Sequence, residues 1–456
     1  MNQTNTSNTE GQLDQPNKSG LARRIGLFDA TMIVMGGIIG SGIFMNPSVV
    51  ARQVHTPALI LGTWLFGGLI ALAGAFIYAE LATRRQSAGG QYIYLRDAFH
   101  PAVAFVFGWS LLLVSHTGGM AAVAMTFARY FIDLTHAPVS DGTVAVAALA
   151  SLTLINCFGV RQGSTVQSTL MVLKIIAVIA LIGAGYFLID TPTKAMQPSN
   201  QVPISFDLFT SFGAAMVPVL FAYGGWQTAN FIAGEVRDPK RNLPLGLTIG
   251  VIGVVALYLS VNFICVHALG PDGLAKTSTP ASEVMQMALG NKGAMFIACG
   301  IAISTLGFLS QSILTAPRVY FAMAEDGLFF KKVAWLHPRT QVPIVAILLQ
   351  GIFAIIIALW GTYEQILSYV VSSDFIFFGL TASCIFIFRR QLAGSTDDKK
   401  YNMPGHPVTT AIFIFICFLV VANTIYKYPI NTLIGMSIIL TGIPVYYIWA
   451  RRKAGT

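Results

Sequence analysis

Apolar runs, each about as long as a bilayer is thick and separated by short polar loops, recur along almost the entire chain. A helix of about 20 apolar residues crosses the hydrocarbon core of a membrane. We therefore predict an all-α integral membrane protein with twelve transmembrane helices. The predicted spans are 27–50, 58–83, 101–132, 142–158, 166–190, 207–234, 245–269, 291–324, 342–361, 366–388, 408–425 and 429–450.

The composition agrees with this prediction, because 55% of the residues are hydrophobic and only 10% are charged. The polar opening of the chain has no apolar core and is not a secretory signal. We expect residues 1–22 to form a disordered cytoplasmic tail and residues 23–456 to form a single transmembrane domain. The five cysteines lie in or beside the spans, so we expect no structural disulfide.

The distribution of basic residues predicts the orientation. If the N-terminus is cytoplasmic, 21 of the 28 Lys and Arg residues lie at that face, six lie at the opposite face, and Lys174 lies within a span. The positive-inside rule then places both termini in the cytoplasm. Because the basic residues are spread over many loops, the net charge of +9 does not indicate a nucleic-acid partner.

Two of the predicted spans contain glycines where a membrane helix needs an intact backbone. The first span carries GGIIGSGIFMNP (36–47), and the sixth carries FAYGGWQTAN (221–230). Pro218 lies three residues before the second stretch. Interruptions at corresponding positions of two halves indicate a transporter binding site. Since the two spans are five helices apart, the second half is inverted relative to the first.

This symmetry predicts a 5+5 inverted repeat with helices 1 and 6 broken, followed by two extra helices. Repeat one covers about residues 27–190, repeat two covers about 207–388, and helices 11 and 12 cover about 408–450. The alternative explanation for the glycines is close helix packing, which small residues at regular spacing also serve.

A broken helix exposes backbone groups of opposite polarity at its two new ends. N–H groups of Ser41, Gly42 and Ile43 lie at a positive helix end, which suits a carboxylate. We expect unpaired carbonyl groups suited to a cation at the ends of the preceding half-helices, at Ile38, Ile39, Phe221, Ala222 and Tyr223. An α-amino acid carries both charges on one carbon and matches both ends.

Several motifs together resemble the amino acid–polyamine–organocation (APC) superfamily. They are GGIIGSGIF, YAELATRRQSAGGQYIYL (78–95), INCFGVRQGSTVQ (155–167), FAYGGW and GEVRDPKRNLP (234–244). The last two are most similar to the L-amino acid transporter branch and its bacterial exchangers. The resemblance covers nearly the whole chain after the tail. It implies the LeuT-like APC fold, alternating access by rocking of a helical bundle, and amino-acid uptake or exchange without sodium.

The resemblance also implies roles for residues at the two breaks. Ser41, Gly42 and Ile43 would bind the substrate carboxylate, the carbonyls of Ile38, Ile39, Phe221 and Ala222 would hold the ammonium, and Tyr223, Gly225 and Trp226 would line or gate the pocket. Animal light chains of this branch join a heavy chain through a cysteine between spans three and four. The loop here (133–142) has no cysteine, so we expect a self-sufficient transporter of a bacterial inner membrane with no heavy-chain partner.

Three titratable residues inside predicted spans are candidates for a functional role. Lys174 is the most costly in lipid and is a functional candidate by default. In sodium-independent relatives a fifth-helix lysine takes the place of sodium, so Lys174 is expected to reach carbonyls of the first break and to couple protons or replace the cation. Asp374 could meet a cationic substrate side chain, carry a proton, or hydrogen-bond exposed backbone as a structural carboxylate. His116 could face the pocket together with Gly118 and Gly119, which leave volume for a side chain.

The resemblance also implies that four acidic residues at cytoplasmic span ends belong to a gate network. We expect Asp29, Glu80, Glu235 and Glu325 to pair with Arg84, Arg85 and Lys240. The chain contains no GxSxG, HExxH, CxxC pair or GxxxxGK[ST], so we expect no enzyme, cofactor or metal site.

The sequence therefore predicts a sodium-independent exchanger of small neutral L-amino acids such as alanine, serine or threonine. The alternatives within transport are a proton-coupled importer with Lys174 titrating, and a cationic amino acid or polyamine antiporter with Asp374 as counter-charge. From another class, the scaffold could serve as a non-transporting amino-acid sensor or as a channel.

Overall fold

The computed structural model describes residues 25–85, 89–158, 160–189, 206–360, 363–391 and 401–454, so the predicted tail lies outside the described residues. The described chain is helical. Its helices, numbered in chain order, are α1 (Leu27–Ile38), α2 (Gly42–Gln53), α3 (Pro57–Arg84), α4 (Gln91–Ala98), α5 (Pro101–Ser110), α6 (His116–Thr135), α7 (Asp141–Cys157), α8 (Val160–Phe187), α9 (Phe206–Tyr223), α10 (Pro239–Lys276), α11 (Pro280–Thr315), α12 (Pro317–Glu325), α13 (Ile344–Trp360), α14 (Tyr363–Gln391), α15 (Val408–Lys427) and α16 (Pro429–Ala454).

The predicted spans agree with these helices. Within the described residues, ten helical segments are long and apolar enough to cross a membrane, and α7 and α13 are shorter apolar helices. Large apolar side chains lie on the outer surface, as in Phe187 and Trp360, which are 81% and 87% exposed. Such surfaces are unfavourable in water but suit contact with lipid. The chain is a multi-pass membrane protein.

The packing of the helices follows the predicted two-fold relation. The second span (α3) packs along the seventh (α10), the third (α6) along the eighth (α11), and the fourth (α7) along the ninth (α13). The C-terminal half of the first span (α2) likewise packs against the sixth span (α9). Contacts between spans five positions apart are what two related five-helix repeats produce at their interface. This arrangement brings the two interrupted spans together at the centre.

Both predicted interruptions are present. α1 ends at Ile38 and α2 begins at Gly42, while α9 ends at Tyr223. After the second break the chain continues as a 3₁₀ helix, Trp226–Glu235, whose tighter turns were not predicted. Ile25 and Val236 form an isolated parallel bridge, so the residues flanking the two broken spans are also tied together away from the breaks.

The short helix α4 between the second and third spans was not predicted. It follows Gly90, which has a positive φ of 43°, and the Gly89 N–H donates to the Phe231 carbonyl at 2.9 Å. Tyr94 Oη also donates to Asn230 Oδ1 at 3.2 Å. α4 therefore supports the 3₁₀ helix from the side.

The ionic contacts of the span ends correct part of the predicted gate network. Glu80 pairs with Arg84 at 2.7 Å, as expected, but its carboxylate also accepts from Arg389 at 2.7 Å and from the Met403 N–H at 2.8 Å. The prediction for Arg85 was wrong, because Arg85 pairs with Asp97 at 3.0 Å.

Glu235 has a partner that was not predicted. It pairs with Arg318 at 2.9 Å, and both side chains are buried. This ion pair joins the end of the 3₁₀ helix to the start of α12. The pairing was missed because Arg318, which the charge distribution counts with the basic residues of the cytoplasmic face, lies 83 positions from Glu235 and inside the helical bundle.

Candidate functional site

The two breaks touch each other through glycine backbone. Gly225 has a positive φ of 104°, a conformation that side chains disfavour. A Cβ atom on Gly225 would overlap the carbonyl of Gly37, and a Cβ on Gly37 would lie 2.7 Å from the Gly225 oxygen. Glycine is therefore required at both positions by close backbone approach, and each break fixes the position of the other.

A buried tyrosine joins the carbonyl ends of the breaks. Tyr258 Oη, on α10, lies 3.0 Å from the Ile38 oxygen and 3.2 Å from the Ala222 oxygen, and can donate to either. Ile38 O also accepts from the Gly40 N–H at 2.9 Å, and Phe221 O accepts from the Gly224 N–H at 3.1 Å. The expectation that these carbonyls are unpaired is therefore wrong, since neighbouring groups already donate to them.

Lys174 reaches the first break from the middle of α8. Its ammonium donates to the carbonyl oxygen of Ile39, between α1 and α2, and the side chain is only 1% exposed. The lysine therefore does not extend to a membrane interface. It places a cation-capable group beside the carbonyl end of α1, behind the wall of the central cavity.

The opposite side of the first break presents backbone donors. α2 begins at Gly42, and the first turn of a helix has N–H groups without partners inside that helix. Ser41, directly before it, is buried and its hydroxyl has no hydrogen-bond partner. Asn46 Nδ2 donates to the Pro218 oxygen at 2.6 Å and holds α2 against α9.

A cavity with about 680 Å³ of empty volume lies between the two breaks and the helices α6, α11 and α14. Nine of the predicted site residues line it: Ile38, Ser41, Gly42, His116, Gly119, Phe221, Ala222, Gly225 and Asp374. Backbone donors, carbonyl ends, small residues and one carboxylate thus meet around one space. A cavity lined by apolar side chains and a few polar groups suits a small molecule.

The other predicted site residues lie outside this lining. Ile39 and Ile43 are buried and Lys174 lies behind the break. Tyr223 packs against Trp64 and Tyr258, with ring centroids 5.8 Å and 5.0 Å away. The sequence could not distinguish a gating aromatic residue from one that packs in the core.

Trp226 likewise packs outside the main cavity, edge-to-face against Tyr78 with ring centroids 4.8 Å apart. Together with Tyr223 it lines a smaller apolar pocket of about 250 Å³, which shares Leu220, Gly224, Phe375 and Phe378 with the main cavity.

On the α6 and α14 side, His116 contacts the Ser312 carbonyl at 3.3 Å, and Asp374 lines the cavity together with Ser115. A Cβ atom on Gly119 would meet nothing within 4 Å, whereas one on Gly118 would lie 3.1 Å from Val370. Only Gly119 of the glycine pair therefore leaves open space beside the cavity.

Several residues lining the cavity were not predicted. The polar ones are Ser115, Gln227, Thr228, Gln311 and Ser312, and the apolar ones include Val123, Leu220, Phe308, Val370, Val371, Phe375 and Phe378. The sequence did contain a signal for most of the polar residues. Gln227 and Thr228 come shortly after the second glycine pair, and Ser310–Gln311–Ser312 interrupts the apolar run of the eighth span. Nothing in the sequence distinguished the apolar ones from ordinary core residues.

Comparisons with known proteins place these features in a family context. A model of the amino acid permease family matches residues 25–449. The serine/threonine exchanger SteT of Bacillus subtilis is 30% identical over 440 residues, covering 96% of this chain and 99% of that protein. The human large neutral amino acids transporter small subunit 2 is 29% identical over 441 residues, covering 94% of this chain and 80% of that protein. The human b(0,+)-type amino acid transporter 1 is 27% identical over 457 residues, covering 97% of this chain and 91% of that protein.

Proposed function

The chain belongs to the amino acid permease family, and we propose that it exchanges small neutral L-amino acids across a membrane, independently of sodium, by alternating access. That it is an amino acid transporter and not an enzyme follows from the family and from the transporters it resembles. The proposal concerns the substrate, the exchange mode and the independence from sodium.

The contact between Lys174 and Ile39 is the observation that carries the proposal. A buried ammonium donates to a carbonyl of the first break, where a transporter driven by sodium would need its ion. A positive charge that belongs to the protein offers no ion gradient to drive uptake. Exchange of one amino acid for another requires no such gradient.

The shape of the cavity supports a small substrate. Gly42 and Gly225 hold the backbone close to the space between the breaks, and Gly119 leaves open space for a substrate side chain on the far side. The hydroxyls of Ser41 and Ser312 are buried without partners and suit a substrate with a polar group. SteT is named as a serine/threonine exchanger, which agrees with this choice of substrate.

The experiment uses purified protein in sealed liposomes preloaded with unlabelled alanine, serine, arginine, putrescine or nothing. Uptake of labelled serine is followed without sodium, with and without an imposed pH gradient. We expect uptake that requires internal alanine or serine and ignores the pH gradient. Uptake into empty vesicles driven by an inward proton gradient would instead establish a proton-coupled importer, with Lys174 as the coupling residue.

A cationic substrate is the second candidate, and the position of Asp374 favours it. This carboxylate lines the cavity, where it could pair with a substrate guanidinium or ammonium. In Asp374→Asn, neutral amino-acid exchange should persist within about threefold if the substrate is neutral. Exchange of arginine by the wild type, with its selective loss in the variant, would support the cationic alternative.

We further propose that the protein lies in a bacterial inner membrane with both termini in the cytoplasm and works without a heavy-chain partner. The excess of basic residues on one set of loops supports the orientation. Cysteine labelling of single-cysteine variants in sealed cells tests it. Labelling of the loop after α3 by an impermeant reagent added outside would contradict the orientation.

A further inference from the structure

We propose that the side-chain oxygen of Gln311, on α11, is an acceptor for the substrate's ammonium group. This inference rests on the proposed function, since it assigns a residue to the same cavity. Gln311 lies far from the two breaks in sequence, and none of the motifs that indicated the site includes it.

The orientation of the Gln311 amide follows from a chain of hydrogen bonds. The Gly225 carbonyl can only accept, and it lies 2.7 Å from the Thr228 hydroxyl. That hydroxyl has a single proton, which it donates to Gly225, so its oxygen accepts from the Gln311 amide nitrogen at 2.7 Å. The opposite assignment of the amide atoms would lose one of these bonds. The amide oxygen of Gln311 therefore points away from Thr228.

That oxygen has no partner in the described protein. Gln311 is fully buried, lines the cavity, and its Oε1 accepts no hydrogen bond, while its Nε2 is held. A buried acceptor without a donor is unfavourable unless a ligand or water supplies one. The wall of the cavity thus contains an oriented oxygen that needs a donor.

The position of this oxygen selects the cationic end of the substrate. A Cβ on Gly37 would lie 3.2 Å from Gln311 Nε2, so the amide lies beside the contact between the two breaks. The helix ends here are carbonyl ends, and these favour positive charge. The Ile39 carbonyl already accepts from Lys174, and the single hydroxyl proton of Tyr258 is donated to the carbonyl of either Ile38 or Ala222. Gln311 supplies an acceptor in addition to them.

The test compares binding of labelled alanine by purified wild-type protein and by Gln311→Met, which keeps the length of the side chain and loses the acceptor. Because the contact involves a charged donor, we expect the affinity to fall about 10- to 100-fold. Gln350→Met is the matched control. Gln350 is also fully buried with an unpartnered Oε1, but it lies outside the lining, so its substitution should change affinity by less than about threefold.

A second measurement separates contact with the ammonium from a purely structural role. Competition by N-trimethylalanine, which has no N–H donor, gives the ratio of its dissociation constant to that of alanine. Loss of the Gln311 contact should lower this ratio in Gln311→Met, whereas a structural effect would weaken both ligands equally and leave the ratio unchanged. An unchanged ratio would overturn the inference.

Thr228→Val provides an independent variant if Gln311→Met does not fold. It removes the hydroxyl that holds the amide, so alanine binding should weaken about 3- to 10-fold. Wild-type affinity in either folded variant would contradict the role of Gln311. If wild-type protein itself binds none of alanine, serine or threonine, the proposed function has failed, which is a different result.

Discussion

The ammonium of Lys174 donates to the carbonyl oxygen of Ile39, across 135 residues of sequence. One end of this contact lies in the middle of an apolar helix, and the other lies where the backbone of the first span is interrupted. The contact satisfies both groups. The ammonium of Lys174 has a hydrogen-bond acceptor inside the membrane, and the Ile39 carbonyl has a donor that the interrupted helix does not provide.

Removing the Lys174 ammonium should impair transport while leaving the protein folded. A hydrogen bond to a charged group is worth about 1.5–3 kcal/mol, so Lys174→Ala should lower exchange at least about tenfold. Exchange in liposomes measures the effect, and thermal unfolding in detergent checks the fold. The control is Lys292→Ala, at an exposed position of α11, which should exchange normally. Wild-type turnover in Lys174→Ala would remove this residue from the mechanism.

Adding bulk at Gly42 should block substrate binding. A Cβ at this position would lie 2.8 Å from the Cα and Cβ atoms of Ala222, so even alanine forces the second break to shift. Gly42→Val should lose measurable binding of alanine in a radioligand assay. Gly62→Ala, whose Cβ would meet nothing within 4 Å, should bind normally. An unchanged affinity in Gly42→Val would contradict the proposed carboxylate site.

Filling the space beside Gly119 should change selectivity rather than abolish transport. Since a Cβ there meets nothing within 4 Å, Gly119→Ala should fold normally and still exchange alanine. Gly119→Val should raise the KM for threonine several-fold more than the KM for alanine, because the side-chain end of the cavity becomes smaller. Equal changes for both substrates would place the substrate side chain elsewhere.

The buried pair of Glu235 and Arg318 should affect stability strongly when only one partner is removed. Arg318 is 1% exposed, and an isolated charge left at this depth costs about 3–5 kcal/mol. Arg318→Met and Glu235→Gln should each lower the unfolding midpoint in detergent. The double variant should recover part of the loss, since no unpaired charge remains. Simple additivity of the two losses would show that the charges do not interact.

The sequence was sufficient for the membrane helices and for the two breaks. Long apolar runs define the spans, and the glycine pairs interrupt them at matched positions. The sequence was less informative for α4, because Gln91–Ala98 is short, polar and stabilised by contacts with the 3₁₀ helix. A short element that depends on its neighbours leaves little trace in local composition.

The candidate site was predictable only where backbone chemistry defines it. Ser41, Gly42, Ala222 and Gly225 follow from the positions of the breaks, and they do line the cavity. The bond between Gln311 and Thr228 joins residues 83 positions apart, and no local pattern predicts such a pair. The partner of Glu235 was missed for the same reason.

The contact between Gly37 and Gly225 limits how such a protein can change its substrate. Both positions already lack side chains, so neither can become smaller to accommodate growth of the other. The backbone that we propose to bind the features common to all amino acids therefore has no room for variation. A change in the range of substrates should therefore arise in the helices α6, α11 and α14, whose side chains form other walls of the cavity.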